Sequence, residues 1–445
     1  MTSALIALAA TLTGTLVSAL VSLLPGLHVY NLLGALLLGL YALQDAGRAI
    51  PPEVYLPLMT GLIVGWSLLN TIPSILLGAP DESAMFSVLP GQKYLMQGRG
   101  YEAVMMTAVG GLAGVFLLVA VVGPLAPRAL PIARSVLNPH LHWMLWVIVT
   151  YILMSEWPKG GNRGPAGWRK FQDAWRSLGA GLLTFALSAL LGFLLLYRPP
   201  IAVESAFQNL LPAFVGLFAV PWCLFNLLSG TAIPRQFCAD SVELDGDTVL
   251  RAAAAGGLGG GFAAFFPVVT GGVGGLLAGH ATAQRDERVF IVSQGVSKLV
   301  YYAGAFLLFF VPGLRLRRGG AAGMLHTVFT PQTAGDYLLI LGSVAVSGGA
   351  AFLLMPALAR LTIRFIERVN YRIASAVALA ITVGLVLSLT GWMGLAVMAV
   401  AAGIGSLPVL FGSRRLNCLG ILLVPMACNL SGFGPRVAGW LGLLS

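Results

Sequence analysis

Apolar stretches of helix length alternate with short polar turns along almost the whole chain, and about 20 such residues are what one helical crossing of a bilayer requires. Nowhere do apolar and polar residues alternate in the segments of about ten residues that build a membrane barrel. The pattern predicts an all-α polytopic membrane protein with about ten transmembrane helices. Two apolar stretches are broken where a spanning helix is not. In Phe262 to His280, FAAFFPVVTGGVGGLLAGH, Pro267 removes a backbone donor, and Gly271, Gly272, Gly274 and Gly275 loosen the chain after it. Unpaired peptide groups cost several kcal/mol in hydrocarbon, so such a break belongs in packed protein or beside a wet cavity. The related break lies 242 positions earlier, where Leu5 to Leu24 runs into Pro25-Gly26 and Asn31 to Leu43 returns. Under that displacement Pro25 matches Pro267 and Gly14 matches Gly256. Both stretches are read as Pro/Gly-broken re-entrant hairpins, near residues 12–43 and 252–281.

Between and after the hairpins the pattern gives spans and turns in sequence. Tyr55 to Gly78 is a span interrupted by Asn70, Pro73 and Ser74, and Pro80 to Glu102 is a long irregular loop. Ala103 to Gly123 spans, Pro124 to His140 connects at the interface, and Leu141 to Ser155 is a short span. After the basic loop Lys159 to Arg176 come Leu178 to Tyr197, Leu210 to Leu228 and the acidic loop Pro234 to Asp247. The second hairpin is followed by Phe290 to Val311, Tyr337 to Leu358, Ile373 to Leu389, Trp392 to Leu410 and Leu416 to Phe433. With the basic loops placed in the cytoplasm, only Arg315 to Arg318 falls outside, and the two hairpins enter from opposite faces. The expected organisation is a first membrane repeat over 1–200, a linking helix and loop over 201–249, and a second, inverted repeat over 250–445.

Composition agrees with this class. Charged residues make up 9% of the chain, against about 25% in a soluble domain, and mean hydropathy is +0.88. The net charge of +10 comes from Lys and Arg in short inter-helix loops, and no basic run carries the interleaved aromatics of a nucleic-acid groove. Cys223, Cys238, Cys418 and Cys428 lack metal-ligand spacing, so neither metal nor cofactor is expected. The start, MTSALIALAATLTG, has no basic region ahead of its apolar run and reads as mature membrane structure. There is no GxSxG, HExxH or P-loop and no carboxylate pair inside a span, which argues against an enzyme.

The candidate chemistry follows from the breaks. A half-helix starting after a break presents free N–H groups and a positive dipole end, which suits an anion. Nearest the breaks are Ser22, His28 and Asn31 beside Pro25-Gly26, and Thr270, Gly271 and Gly272 after Pro267. Such glycines also serve close helix packing, and His28 and His280 also fit interfacial packing roles. Asn70 and Ser74 share one face around Pro73; Gln294 and Lys298 share another, with Ser297 beside them. Lys298 could pair with an anionic substrate or snorkel to the interface. Asp81 and Glu82, beside the first broken span, are candidates for a coupling cation.

The order of motifs resembles that of TctA-like permeases, the large membrane subunit of tripartite tricarboxylate transporters. The resemblance rests on LLPGLHVYN, on NTIPSILLGAPDE with LPGQKYLMQGRGYEA, on AGGLGGGFAAFFPVVTGG, on FVPGLRLRRGGAA, and on the C-terminal TGWMGLAVMAVAAGIGSLPVLFGSRRLNCLGILLVP. It implies a multi-pass protein of the inner (cytoplasmic) membrane that moves an organic acid inward on an H⁺ or Na⁺ gradient by alternating access. A periplasmic binding protein and a small membrane subunit are the implied partners. The family's first PG motif falls on Pro25-Gly26, and its following loop on Pro80 to Ala103. PVVTGGVGG is also similar to the PGVSGG signature of polyprenyl-phosphate translocases, which would make the ligand a lipid phosphate.

Overall fold

The computed structural model describes residues 2–24, 27–78, 85–156, 167–201, 210–229, 233–282 and 286–444. The chain folds into α-helices, and the described residues contain no strand. In the first part of the chain these are α1 (Thr2–Val21), α2 (Val29–Asp45), α3 (Pro52–Leu69), α4 (Thr71–Leu76), α5 (Met85–Met96), α6 (Gly100–Phe116) and α7 (Gly123–Leu137). Next come α8 (Leu141–Ser155), α9 (Trp168–Tyr197), α10 (Leu210–Phe214) and α11 (Val220–Ser229). The second half opens with α12 (Gly246–Phe265), α13 (Gly271–Ala281), α14 (Glu287–Phe310), α15 (Gly319–Leu325) and α16 (Ala334–Arg368). It closes with α17 (Tyr371–Phe411), α18 (Gly420–Leu430) and α19 (Gly434–Trp440).

Among the described residues, 8 helical stretches are long and apolar enough to cross a membrane, or up to 9 if the bent α18–α19 pair counts as one. The protein is thus a multi-pass α-helical membrane protein. Two stretches have the length of two crossings or more. The helical run Gly100–Ser155 has 56 residues, and at about 1.5 Å per residue it is more than twice as long as the hydrocarbon core of about 30 Å. The other is α17, whose 41 residues are divided at Gly391, where φ is 67° and ψ −165°. Only glycine adopts that backbone readily, and it falls between the two apolar runs that the sequence marks as separate spans.

Three elements differ from their sequence reading. The irregular loop at Pro80 to Glu102 contains α5, whose Tyr94 and Leu95 are buried in the main core. The connection at Pro124 to His140 is helical, with Pro127 and Pro131 inside α7. A wide turn precedes it, in which the Gly123 N–H donates to the Leu118 carbonyl five residues back; such turns relieve the crowding a proline ring causes. Third, α1 runs uninterrupted for 20 residues, long enough to span by itself rather than as a short arm.

Two compact units form, each from both halves of the chain. The first comprises Met1–Ser135 and Thr231–Ala374. Displaced by 242 positions, its first segment falls almost entirely on its second. Inside it α1 packs on α3, and α12 on α14. Both contacts are close because they are made by glycines. A Cβ on Gly14 would run into the Leu58 carbonyl, and one on Gly61 into the Thr11 carbonyl. Likewise, a Cβ on Gly256 would strike the Ser293 carbonyl, and one on Gly260 would come within 2.6 Å of the Ser297 carbonyl. The next long helix of each half crosses over to the other half's pair: α6 packs on α14 and α12, and α16 on α3 and α1. Hydroxyls tie that second contact, with Thr11 donating to Ser343 (3.2 Å) and Thr15 to Ser347 (2.7 Å).

The second unit comprises Val136–Gly230 and Ser375–Ser445. Here α18 packs on α9 and α8, with Gly192 of α9 directly against the Ile421 carbonyl. A wide turn, Val215–Ala219, joins α10 to α11 and meets the second part of α17 through Gly216 and Gly405.

Candidate anion-binding site

In the first unit, α12 stops at Phe265, where the rings of Phe262 and Phe266 stack at 4.2 Å. Pro267 follows, buried, and then Val268 with φ of 56°. A β-branched residue at positive φ is strained, and strain of this kind collects at functional breaks. The chain re-enters helix at Thr270, whose hydroxyl accepts from the Val273 N–H (3.5 Å) as the cap of α13. Gly271 and Gly272 form the open first turn of that helix. Their lack of side chains is required at Gly271, where a Cβ would lie 2.9 Å from Tyr301 of α14. Ser297 fastens the same turn by donating to the Gly271 carbonyl (2.7 Å). At the opposite lip, Arg318 Nε donates to the Phe265 carbonyl (3.0 Å), a cation on the negative end of α12.

The first break is built on a similar plan as far as it is described; Pro25 and Gly26, like Asp81 and Glu82, lie outside the described residues. His28 caps α2, its Nδ1 accepting from the Tyr30 N–H (3.2 Å) while Nε2 lies 3.1 Å from the Tyr302 hydroxyl. The imidazole is 4.6 Å from the Trp66 ring, and Trp66 is 5.4 Å from Tyr302. The helix α3 ends at Asn70, one turn before Ser74, whose hydroxyl donates to the Asn70 carbonyl (2.8 Å).

Lys298 joins the two halves. Its Nζ donates to Asn70 Oδ1 (2.9 Å) and sits 4.9 Å from the centre of the Trp66 ring. Asn70 Nδ2 in turn points at the Ser22 carbonyl (3.5 Å). Three pairs spaced four apart, each on one face of its helix, therefore supply the region: Ser18 and Ser22, Trp66 and Asn70, Gln294 and Lys298. None of the six is more than 4% exposed. Lys298 is the one charged side chain among the buried described residues of this unit.

The hydrogen-bond inventory explains what the region lacks. Ser18 Oγ, Ser22 Oγ, Asn31 Nδ2, Trp66 Nε1 and Gln294 Nε2 are all buried without a partner. Buried polar atoms in that state are rare, and every one of these can donate. What they call for is an acceptor. Buried donors in the unit that also buries the Lys298 ammonium match an anionic oxygen, as a carboxylate or phosphate offers.

Of the residues singled out from sequence, Ser22, Asn70, Ser74 and Lys298 form one connected set, and Ser297 ties it to Thr270 and Gly271. Gln294 faces Gly275 on the inner side of α13, where a Cβ would lie 2.7 Å from its Nε2. Gly272 is buried in the first turn of α13, and Pro267 in the break itself. Asn31 is buried in the first turn of α2 with its amide unpaired, and its N–H donates to the His28 carbonyl. His280 stands at the far end of α13, against the Leu276 carbonyl, away from the break. Ser18, Tyr30, Trp66 and Tyr302 did not stand out in the sequence. The four-residue spacing of Ser18 to Ser22 and of Trp66 to Asn70 was the available signal. Among the described residues no group of three or more His, Cys, Asp or Glu side chains could hold a metal ion.

Comparison with known proteins adds the lineage. An uncharacterized protein of Methanocaldococcus jannaschii is 24% identical over 371 residues, which cover 81% of this chain and 82% of that protein. No solved structure matches the chain. The family model described as "Tripartite tricarboxylate transporter TctA family" matches residues 8–420, a range that takes in both breaks and all six residues of the buried polar set. The chain therefore belongs to the tripartite tricarboxylate transporter TctA family.

Proposed function

We propose that the protein carries an organic carboxylate across the cytoplasmic membrane, binding it between the two helix breaks and alternating its access by movement of one repeat against the other. The observation that carries this reading is the buried Lys298–Asn70 pair, with five further buried donors of the same unit left without partners. Ser22, Asn70, Gln294, Lys298 and the Thr270 to Gly272 turn would hold the carboxylate. Ser74, Ser297, His28 and Asn31 would fix the shape of that site, together with the breaks at Pro25-Gly26 and Pro267. Support for inverted repeats comes from the 242-residue displacement that maps one segment of the first unit onto the other, and from the crossing of α6 and α16. Carrier proteins of that architecture place substrate at discontinuous helices near the membrane midplane.

Transport would be driven by an H⁺ or Na⁺ gradient, with Asp81 and Glu82 as the coupling-cation candidates. The family's tripartite organisation supplies the partners of this reading, a periplasmic binding protein and a small membrane subunit. Uptake of labelled di- and tricarboxylates into proteoliposomes, with H⁺ and Na⁺ gradients imposed separately and the two partners added or omitted, tests it. Gradient-dependent accumulation of a carboxylate is the expected result. Absence of uptake under every gradient with both partners present, alongside stabilisation by short-chain polyprenyl phosphates, would replace the carboxylate with a lipid phosphate.

A further inference from the structure

The second unit holds a partly buried cation of its own, made by other residues than the site above. Arg415 opens the short helix Arg415–Leu419 that leads into α18, directly after the span-length second part of α17. Its guanidinium lies 5.0 Å from the centre of the Trp222 ring of α11. Among the described residues it makes no hydrogen bond and no ion pair, and its Nη2 is buried without a partner. Its other neighbours are the thiols of Cys223 and Cys418, which are weak acceptors. A guanidinium in that position calls for an acceptor in the plane of its N–H groups, since the indole below satisfies only its face.

The carboxylate that could have served is engaged elsewhere. Glu156, also buried, accepts from the backbone N–H of Arg414 (2.8 Å). It sits beside the Asn417 amide on the α9 side of the segment, where a Cβ on Gly181 would lie 2.9 Å from Asn417 Nδ2 and 3.0 Å from Glu156 Oε2. So buried Glu156 and partly buried Arg415 are not paired with each other. A second buried donor, Ser413 Oγ, is likewise without a partner two residues before Arg415. Arg415 itself is partly exposed, so the site is open on one side.

The surroundings point to the edge of the bilayer. Arg176 of α9 covers the Phe411 ring at 4.7 Å, and Ser177 donates to the Gly412 carbonyl (3.2 Å), which joins the first turns of α9 to the end of α17. Those turns expose Trp168, Phe171 and Trp175, the aromatic residues of a membrane–water interface. Basic pockets between membrane helices at that level bind lipid phosphates, and the fork of a guanidinium fits two phosphate oxygens.

We propose that Arg415, with Ser413, is a phosphate-binding site of the second unit, filled by the head group of an anionic phospholipid or by phosphate from solution. It is separate from the carboxylate site at Lys298, and it holds whether or not that site carries carboxylates.

Thermal unfolding of the delipidated full-length protein in detergent tests it, with phosphatidylglycerol, phosphatidylcholine or inorganic phosphate added to the native chain, Arg415→Gln and Arg415→Lys. Phosphatidylglycerol is expected to raise the unfolding temperature of the native protein more than phosphatidylcholine does, and the difference should vanish in Arg415→Gln. An equal rise with inorganic phosphate alone, also lost in Arg415→Gln, supports the site and assigns it to soluble phosphate. Should Arg415→Gln not fold, Arg415→Lys decides, because it keeps the charge and loses the fork. About ten times more phosphatidylglycerol for the same rise is then expected. The proposal is overturned if neither phosphate source stabilises the native protein beyond phosphatidylcholine, or if the substitutions leave the response unchanged.

Discussion

At the scale of single residues, the site is a matter of unmet hydrogen bonds. Lys298 holds Asn70 and lies on Trp66, yet the donors of Ser18, Ser22, Trp66, Asn31 and Gln294 are left for something else. Removing the charge should separate binding from folding. In Lys298→Met the aliphatic stem is kept and a costly buried ammonium is lost, so the unfolding temperature should hold or rise. Carboxylate affinity should fall about 100-fold, since a hydrogen bond to a charged group is worth up to about 3 kcal/mol. A large drop in unfolding temperature with affinity intact would mean that Lys298 is structural. Lys298 and Gln294 were legible in the sequence because charged and amide side chains are rare inside spans. Trp66 was not, since an indole in an apolar run looks like core until its Nε1 is seen to lack a partner. Val268 was equally silent, because no residue type announces a left-handed backbone at a β-branched position.

At the scale of elements, glycine positions decide which helices approach and which turns form. Gly260 of α12 faces the Ser297 carbonyl, and its neighbour Gly261 has nothing within 4 Å. Gly260→Leu should therefore destabilise the protein by about 3 kcal/mol through overpacking. Gly261→Ala should leave stability unchanged or raise it by up to about 1 kcal/mol. Thermal unfolding of the two variants in the same detergent checks the contrast, and equal effects would show that α12 and α14 are not packed as described. At Gly391 the reason is different, because its backbone is open to glycine alone. Gly391→Ala should cost about 1–3 kcal/mol and straighten α17, which the same unfolding experiment reads. The break at Pro267 and most helices were visible in the hydrophobic pattern. Of the exceptions, α5 and α7 carry Pro90, Pro127 and Pro131 inside helices, where the sequence reads a proline as the end of a helix.

At the scale of the whole molecule, the compact units do not follow the order of the chain. Each unit draws a segment from each half, so the division in space could not be read from order along the sequence. The helical membrane class and the family resemblance could be, because they depend on local composition and motif order. What gathers the candidate residues is the contact of α14 with α3, which brings Lys298 to Asn70 and Trp66, long-range packing that hydropathy does not encode.

The most direct test of the account is equilibrium binding of labelled di- and tricarboxylates to the purified protein, compared with Lys298→Met and Gly271→Leu. Saturable binding by the native chain is the expected result. Also expected is a loss of about 100-fold or more in affinity for folded Lys298→Met, and loss again for Gly271→Leu, whose side chain must displace Tyr301 at the mouth of α13. Carboxylate binding of undiminished affinity in both variants would contradict the proposed site, and would move the anion away from the helix breaks.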